Sequence, residues 1–364
     1  MDRRMHILVT GGAGYIGSAL VRELLAHGHP VTVVDSMIFG DRALADVRHH
    51  PALQIRRMDT RGLQREHLTG VQAVVDLAGL SSDLATELDP AWTDAVNHRA
   101  QVRLARLARS CGVARHVLIS SCAVYGLARG AEVTELSPLQ PLTRYAHSCA
   151  LTEATILPLA GPGFSPTVLR LGLVHGRSAR MRFDLMVNAM ALSALRLRRI
   201  TLDEGGQRCR NHVHIRDVVQ AIVAALHAPL ANVSRQVFNI GHHNLSALDV
   251  AEAIRHALGS HVEIALHGGT PDLHHHRFTA RKAQDLLGYR PEVTLDTGVN
   301  EILDALDRGS IADTLETHTT RWIHEVLALG KEAKTAIEQT ATFAYRPAPV
   351  FGRSAVGPGG LRLQ

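Results

Sequence analysis

Three glycines, Gly11, Gly14 and Gly17, stand in the stretch Thr10-Gly-Gly-Ala-Gly-Tyr-Ile-Gly17, directly after an apolar run and directly before an amphipathic one. This spacing suits a phosphate. The first glycine permits a tight turn, the second lets the backbone approach a pyrophosphate, and the third lets the following helix pack closely on the preceding strand. The helix N-terminus adds free N–H groups and the positive end of a dipole. Asp35 ends the second apolar run. A carboxylate there accepts hydrogen bonds from an adenosine ribose and repels a 2′-phosphate, which points to NAD rather than NADP. Further along, Ser120 and Ser121 close the run Leu118-Ile-Ser-Ser121, Tyr145 stands 24 residues after Ser121, and Cys149 follows Tyr145 by four. That last spacing puts Tyr145 and Cys149 on one helix face.

Such groups need elements to hold them. Met5 to Thr10 reads as a buried strand, Gly11 to Gly17 as a turn, and Tyr15 to His27 as an amphipathic helix ending at Gly28. Further strands are expected at Val31 to Val34, Leu53 to Arg57, Val71 to Ala78, His116 to Ser120 and Thr167 to Leu171, with helices over Pro90 to Cys111 and Arg144 to Leu157. Alternation of this kind implies right-handed crossovers and an α/β fold, a doubly wound parallel sheet of Rossmann type. After Gly176 the pattern loosens into helices at Phe183 to Leu197, Ile215 to His227 and Ala247 to Leu258, with short strands around Thr201 and Phe238, as expected of a smaller C-terminal lobe. The expected division is a dinucleotide domain over 1–176 with 210–245 returning to it, a substrate lobe over 177–330, and an extended or disordered tail over 331–364, where Pro347, Pro349 and Pro358 interrupt any long element.

The 364 residues are 46% hydrophobic and 20% charged, an ordinary globular balance, and no apolar run approaches the length of a membrane span, so a soluble cytoplasmic protein is expected. The net charge of +5 is scattered and aromatic residues are only 4%, which argues against a nucleic-acid partner. Cys111, Cys122, Cys149 and Cys209 form no CxxC pair, so neither a disulfide framework nor a zinc ribbon is expected. His242-His243 and His274-His-His276 read as solvated loops rather than metal sites. The basic residues are 36 arginines and three lysines, Lys282, Lys331 and Lys334, so none of the first 281 residues is a lysine.

The segments TGGAGYIGS (10–18), Asp35, Asp59, Asn97, SSCAVYG (120–126), Tyr145, LRLGLVHG (169–176), RNHVHIRDV (210–218), FNIG (238–241) and RKAQDLLGYRP (281–291) resemble, in order, the extended short-chain dehydrogenase/reductases, in particular the sugar-nucleotide epimerases and dehydratases. The resemblance implies an NAD-dependent enzyme acting on a nucleotide sugar or related polyol, an epimerase or ketoreductase, working as a homodimer. It implies that Ser121 hydrogen-bonds the reacting oxygen and that Tyr145 is the acid/base group. NAD would be held by Gly11, Gly14, Tyr15, Ile16, Gly17, Asp35, Ser36, Asp59, Thr60, Leu77, Ala78, Gly79, Asn97 and Tyr145, and substrate by Ser81, Ser121, Leu173 and Arg210, whose guanidinium suits a diphosphate. The dimer is expected through the helices at Pro90 to Cys111 and Arg144 to Leu157, where Ala100, Leu104, Leu107, Ala108 and Cys111 form an apolar stripe.

The departures carry information too. The family reads Tyr-x-x-x-Lys, and this chain reads Tyr145-Ala-His-Ser-Cys149. The missing ammonium would hold the nicotinamide ribose and lower the tyrosine pKa. His175, in Val-His-Gly where the family has Val-Tyr-Gly, is the expected substitute cation. Leu173 stands where asparagine is usual and Gly269 where a second arginine is usual, which weakens the case for a standard uridine-diphospho-sugar. Cys122-Ala123 replaces the Asp-Glu pair of the dehydratases, so a dehydratase here would be atypical. A non-catalytic NAD-binding or scaffold protein is the alternative of another class.

Overall fold

The apolar runs assemble into one parallel sheet of seven strands: β1 (Ile7–Thr10), β2 (Val31–Asp35), β3 (Leu53–Arg57), β4 (Ala73–Asp76), β5 (Arg115–Ser121), β6 (Ser165–Leu171) and β7 (Gln236–Ile240). Their order, β3-β2-β1-β4-β5-β6-β7, reverses direction between β1 and β4, the switch point at which such sheets bind ligands. The computed structural model describes residues 4–268 and 275–329. Ile7 pairs with both Val31 and Ala73, so β1 lies at the centre, and Ile7, Leu8 and Val9 are fully buried.

The helices that position the site are α1 (Tyr15–Ala26), α2 (Asp83–Leu88), α3 (Gln101–Ser110), α4 (Arg144–Ile156), α5 (Met186–Leu197), α6 (Ile215–His227), α7 (Ala247–Leu258), α8 (Leu295–Asp307) and α9 (Thr319–Ala328). The helix expected over Pro90 to Cys111 is broken: Pro90–Asp94 passes into a π-helical turn at Ala95–Ala100 before α3 begins. The wider turn coincides with the buried Asn97, whose carbonyl accepts from Thr152 Oγ1 at 3.0 Å. The apolar stripe expected to pair two copies packs inward instead. Ala100, Leu104 and Ala108 are buried, and Leu104 and Ala108 join Leu8, Val74, Ile156 and Phe164 in one cluster, with Leu107 and Cys111 at its edge.

In the second half, α5, α7 and α8 pack around Ile200 and Leu202. A three-stranded sheet (Leu173–His175, Cys209–His214, His243–Ser246) and a two-stranded one (Arg199–Asp203, Glu263–His267) complete it. Tyr15 Oη donates to the Gly176 carbonyl at 2.7 Å and Ser18 Oγ meets Ser178 Oγ at 3.0 Å, so α1 is stitched to the second half. Helix α9 was not expected from the sequence. It crosses back to the sheet, burying Ile323 and Val326 against Ile38, Leu80, Ala85 and Trp92, while Trp322 Nε1 donates to the Ile38 carbonyl at 2.7 Å. Gly269, His274 and the expected tail at 331–364 lie outside the described residues. Among the described residues no helix is long and apolar enough to cross a membrane.

Candidate active site

A cleft of about 1140 Å³ opens at the C-terminal ends of β1, β2, β4, β5 and β6, lined on one side by the glycine-rich turn and on the other by Ser121, Tyr145 and Cys149. The glycine spacing is explained by contact. Gly11 has φ +67, a left-handed backbone, and a Cβ added at Gly17 would sit 2.1 Å from the Gly11 carbonyl oxygen. Gly14 is the N-cap of α1 and no side chain caps that helix, so its first-turn N–H groups serve the cleft they line. This arrangement fits a dinucleotide diphosphate.

Asp35 is held in place by two backbone donors, Ala13 N at 2.9 Å to Oδ2 and Met37 N at 2.8 Å to Oδ1. A carboxylate has lone pairs beyond those two, so ribose hydroxyls can still be accepted. Burial pushes its pKa up, and the two N–H groups and Arg180 oppose that. Thr10 Oγ1 donates to Asp76 at 2.6 Å and accepts from Leu77 N and Ala78 N at 3.1 and 3.2 Å, which fixes the turn after β4. Asn97, expected among the cofactor contacts, lines the cleft. Its amide clamps Leu80, accepting from Leu80 N at 2.7 Å and donating to the Leu80 carbonyl at 2.9 Å, so it shapes the Leu77–Leu80 turn from behind. Asp59 accepts from Arg61 N at 2.7 Å and pairs with its guanidinium, beside Thr60 on the cleft wall.

On the opposite wall, Thr143 caps α4, accepting from Ala146 N at 3.2 Å and donating to Asp83 at 2.6 Å, which sets Tyr145 at the cleft edge. Ser121 accepts from Ala123 N at 3.1 Å at the end of β5. One face of α4 carries Tyr145, Cys149 and Glu153 in successive turns. The phenol and the thiol act on each other electrostatically, and Ser120 also bears on the thiol. Glu153 is 2% exposed, accepts from Ser120 Oγ and forms a two-point pair with Arg170, Nη2 to Oε2 at 2.6 Å and Nε to Oε2 at 3.0 Å. Burial, then the Cys149 thiol and Asp83, raise the Tyr145 pKa well above its ordinary value, while Arg182 lowers it. The Cys149 thiol is pushed up to about 12 by burial and by Glu153. At neutral pH both groups therefore carry their protons: the site can donate one readily and accept one only weakly.

His175 is not the substitute cation. It points away from the cleft, 1% exposed, edge-on to His214 with ring centroids 5.3 Å apart and against Gly298 of α8, and burial with four neighbouring histidines holds its pKa well below the usual range. A neutral ring there supplies no charge. The cations that do line the cleft are Arg210, which bears electrostatically on Cys122, and three arginines that sequence reasoning missed: the buried Arg180 and Arg182, and the exposed Arg321. Arg182 donates to Ser81 Oγ at 2.8 Å, pairs with Asp184 at 2.5 Å and bears on Tyr145. The signal was present as Arg180-Met-Arg-Phe-Asp184, charges spaced through an apolar stretch. Ser36 and Leu173 also line the cleft. His242 and His243 stack on each other at 3.6 Å, and no metal-holding cluster exists among the described residues.

A profile of the NAD dependent epimerase/dehydratase family matches residues 7–241. The chain belongs to this family. It is 30% identical over 316 residues to UDP-glucose 4-epimerase of Mycolicibacterium smegmatis, covering 82% of this chain and 98% of that protein. It is 28% identical to UDP-glucuronic acid decarboxylase 1 of Xenopus tropicalis, covering 82% and 72%. Among solved structures it is similar to MoeE5 in complex with UDP-glucose and NAD, with a TM-score of 0.73, 27% identity, and 84% and 100% of the two chains covered. The expected extended short-chain dehydrogenase/reductase enzyme, with its Rossmann-like sheet and NAD dependence, agrees with these relatives.

Proposed function

We propose that the protein acts on a nucleotide sugar, exchanging a proton at one sugar hydroxyl or ketone through Tyr145 while Ser121 hydrogen-bonds the same oxygen, as an epimerase or ketoreductase. The observation that carries this reading is that Tyr145 and Ser121 line the same cleft as the glycine-rich turn and Asp35. NAD, when bound, supplies the redox capacity of the site. Arg210 stands on the cleft wall as a partner for the substrate diphosphate, with Ser81 and Leu173 nearby, and relatives named for UDP-sugar reactions support that substrate class. The test is turnover of a panel of nucleotide sugars by wild type and Tyr145→Phe. Loss of all turnover with NAD binding retained is expected for the variant. Full activity without the phenol would overturn the assignment.

A second reading is favoured by one observation: among the described residues no ammonium stands beside Tyr145, whose pKa is raised. It is an NAD-binding protein without turnover, and it predicts no chemistry with any nucleotide sugar despite tight NAD binding. We also infer a cytoplasmic protein, supported by four free cysteines, divided into a cofactor half (1–176 with 210–245) and a substrate half (177–330). A homodimer would have to use the outer faces of α3 and α4, where Arg103, Arg106 and Leu151 are exposed. The arginines oppose one another across such a contact, so its mass by light scattering should rise with salt.

A further inference from the structure

Arg180 is a buried guanidinium that lacks a counter-ion. It is 9% exposed, its Cζ lies 3.8 Å from the centroid of the Phe39 ring, and among the described residues no carboxylate lies within ion-pair distance, since Asp184 is taken by Arg182. Nη2 donates to Thr319 Oγ1 at 3.1 Å and to the Glu316 carbonyl at 3.3 Å, whereas the buried Nε has no protein partner. A buried cation is costly unless an anion meets it. Its electrostatic neighbours are Arg182 and Asp184, which pair with each other, and then Asp35 and Tyr15, which flank the glycine-rich turn, whereas Arg210 bears on Cys122. The uncapped N-terminus of α1 and the Arg180 guanidinium thus line the same end of the cleft.

The hydrogen-bond partners of Arg180 are Glu316, in the turn before α9, and Thr319, the first residue of α9. MoeE5 is covered over its whole length by 84% of this chain, which leaves 16% of this chain without a counterpart. The family match spans residues 7–241, and α9 lies beyond it. We propose that this C-terminal segment is an added strap that holds Arg180 over the α1 N-terminus, as counter-charge to the diphosphate of the bound dinucleotide, and slows its release. The proposal rests on the reading of the cleft as an NAD site. Trp322, bonded to the Ile38 carbonyl, and the Ser82–Thr320 hydroxyl contact at 3.0 Å fasten the strap beside the cofactor end of the cleft.

The test is calorimetric binding of NAD, adenosine and UDP to the full chain and to Arg180→Gln, Arg180→Lys and Thr319→Val, with stopped-flow release of NAD. Arg180→Gln should weaken NAD about ten- to a hundredfold, the scale of a charge-assisted hydrogen bond, and leave adenosine and UDP unchanged. Arg180→Lys should lose less, because the charge remains, and Thr319→Val, which frees Arg180 without touching its charge, should weaken NAD several-fold. Trp322→Phe, which deletes the indole N–H bond and part of the ring's packing against the Ile38–Trp92 cluster, should speed NAD entry and release together. Undiminished NAD affinity in Arg180→Gln overturns the proposal, as does a loss confined to UDP, which would give Arg180 to the substrate diphosphate. If Arg180→Gln does not fold, wild-type affinity in both Arg180→Lys and Thr319→Val overturns it. Unchanged release in Trp322→Phe removes the strap. Failure of the wild-type chain to bind NAD would bring down the cofactor reading itself, visibly and before any variant is compared.

Discussion

Cys149→Lys restores the charge that the family places beside its tyrosine, and the structure sets the size of the effect. The Tyr145 phenol and the Cys149 thiol, one turn apart on α4, act on each other electrostatically. An ammonium about 6 Å from the phenolate, at an effective dielectric near 20, contributes roughly 3 kcal/mol, or about two pKa units. In wild type the Tyr145 pKa lies well above its ordinary value, so a reaction that needs the phenolate should climb with pH and show no plateau below about pH 10. Cys149→Lys should move the climb about two units lower and speed the oxidative step near pH 8 about a hundredfold. Glu153, which bears on Cys149, offers the new ammonium a partial counter-charge, so it is not an isolated buried cation. The assay is single-turnover absorbance of the nicotinamide ring from about pH 6 to about pH 10, with Cys149→Met as a neutral control of similar reach. Equal shifts in the lysine and methionine variants, or no shift in either, would refute the electrostatic account.

Three further outcomes are expected. Asp35→Ala should weaken NAD and relax discrimination against NADP, read as the ratio of the two dissociation constants; wild type binding NADP as tightly as NAD would sink the assignment. Arg170→Met strands Glu153, which is 2% exposed, and should cost about 3–5 kcal/mol in chemical denaturation, more than an exposed pair such as Arg48–Asp41 contributes. Burial lowers the pKa of His116 to about 4, His212 to about 3 and His214 to about 4, so the unfolded chain takes up their protons from about pH 6.5 downwards while the folded one stays neutral. Their contribution is complete above pH 6.5 and lost as pH falls through about 4. Asp76, raised to about 6 by burial, offsets only part of this, so the melting temperature should fall steeply between about pH 6.5 and pH 4, and a flat profile would contradict the burial assigned to these rings.

What the sequence showed and what it hid follow from the range of the interactions. The glycine turn was legible because its constraints are local: Gly11 needs a left-handed backbone, Gly17 must meet the Gly11 carbonyl, and Asp35 stops at the end of the neighbouring strand. Tyr145 and Cys149 were legible as a pair because helical spacing alone puts them on one face. Asn97 was visible as polar and buried within an apolar helix, yet its bonds run to Leu80, 17 residues away, and only the tertiary fold shows that it braces a turn. His175 misled because its strand partner His214 and the approach of Gly298 decide which way it faces, and neither is near it in sequence. Arg180 and Arg182 are two residues apart in one segment, so sequence gives them the same prospects. The fold separates them: Asp184 neutralises Arg182 beside Tyr145, while the hydroxyl and carbonyl that reach Arg180 from the C-terminal strap carry no charge. In a chain with no lysine before residue 282, the proposed counter-charge to a diphosphate is therefore Arg180, a buried guanidinium with no carboxylate within ion-pair distance among the described residues.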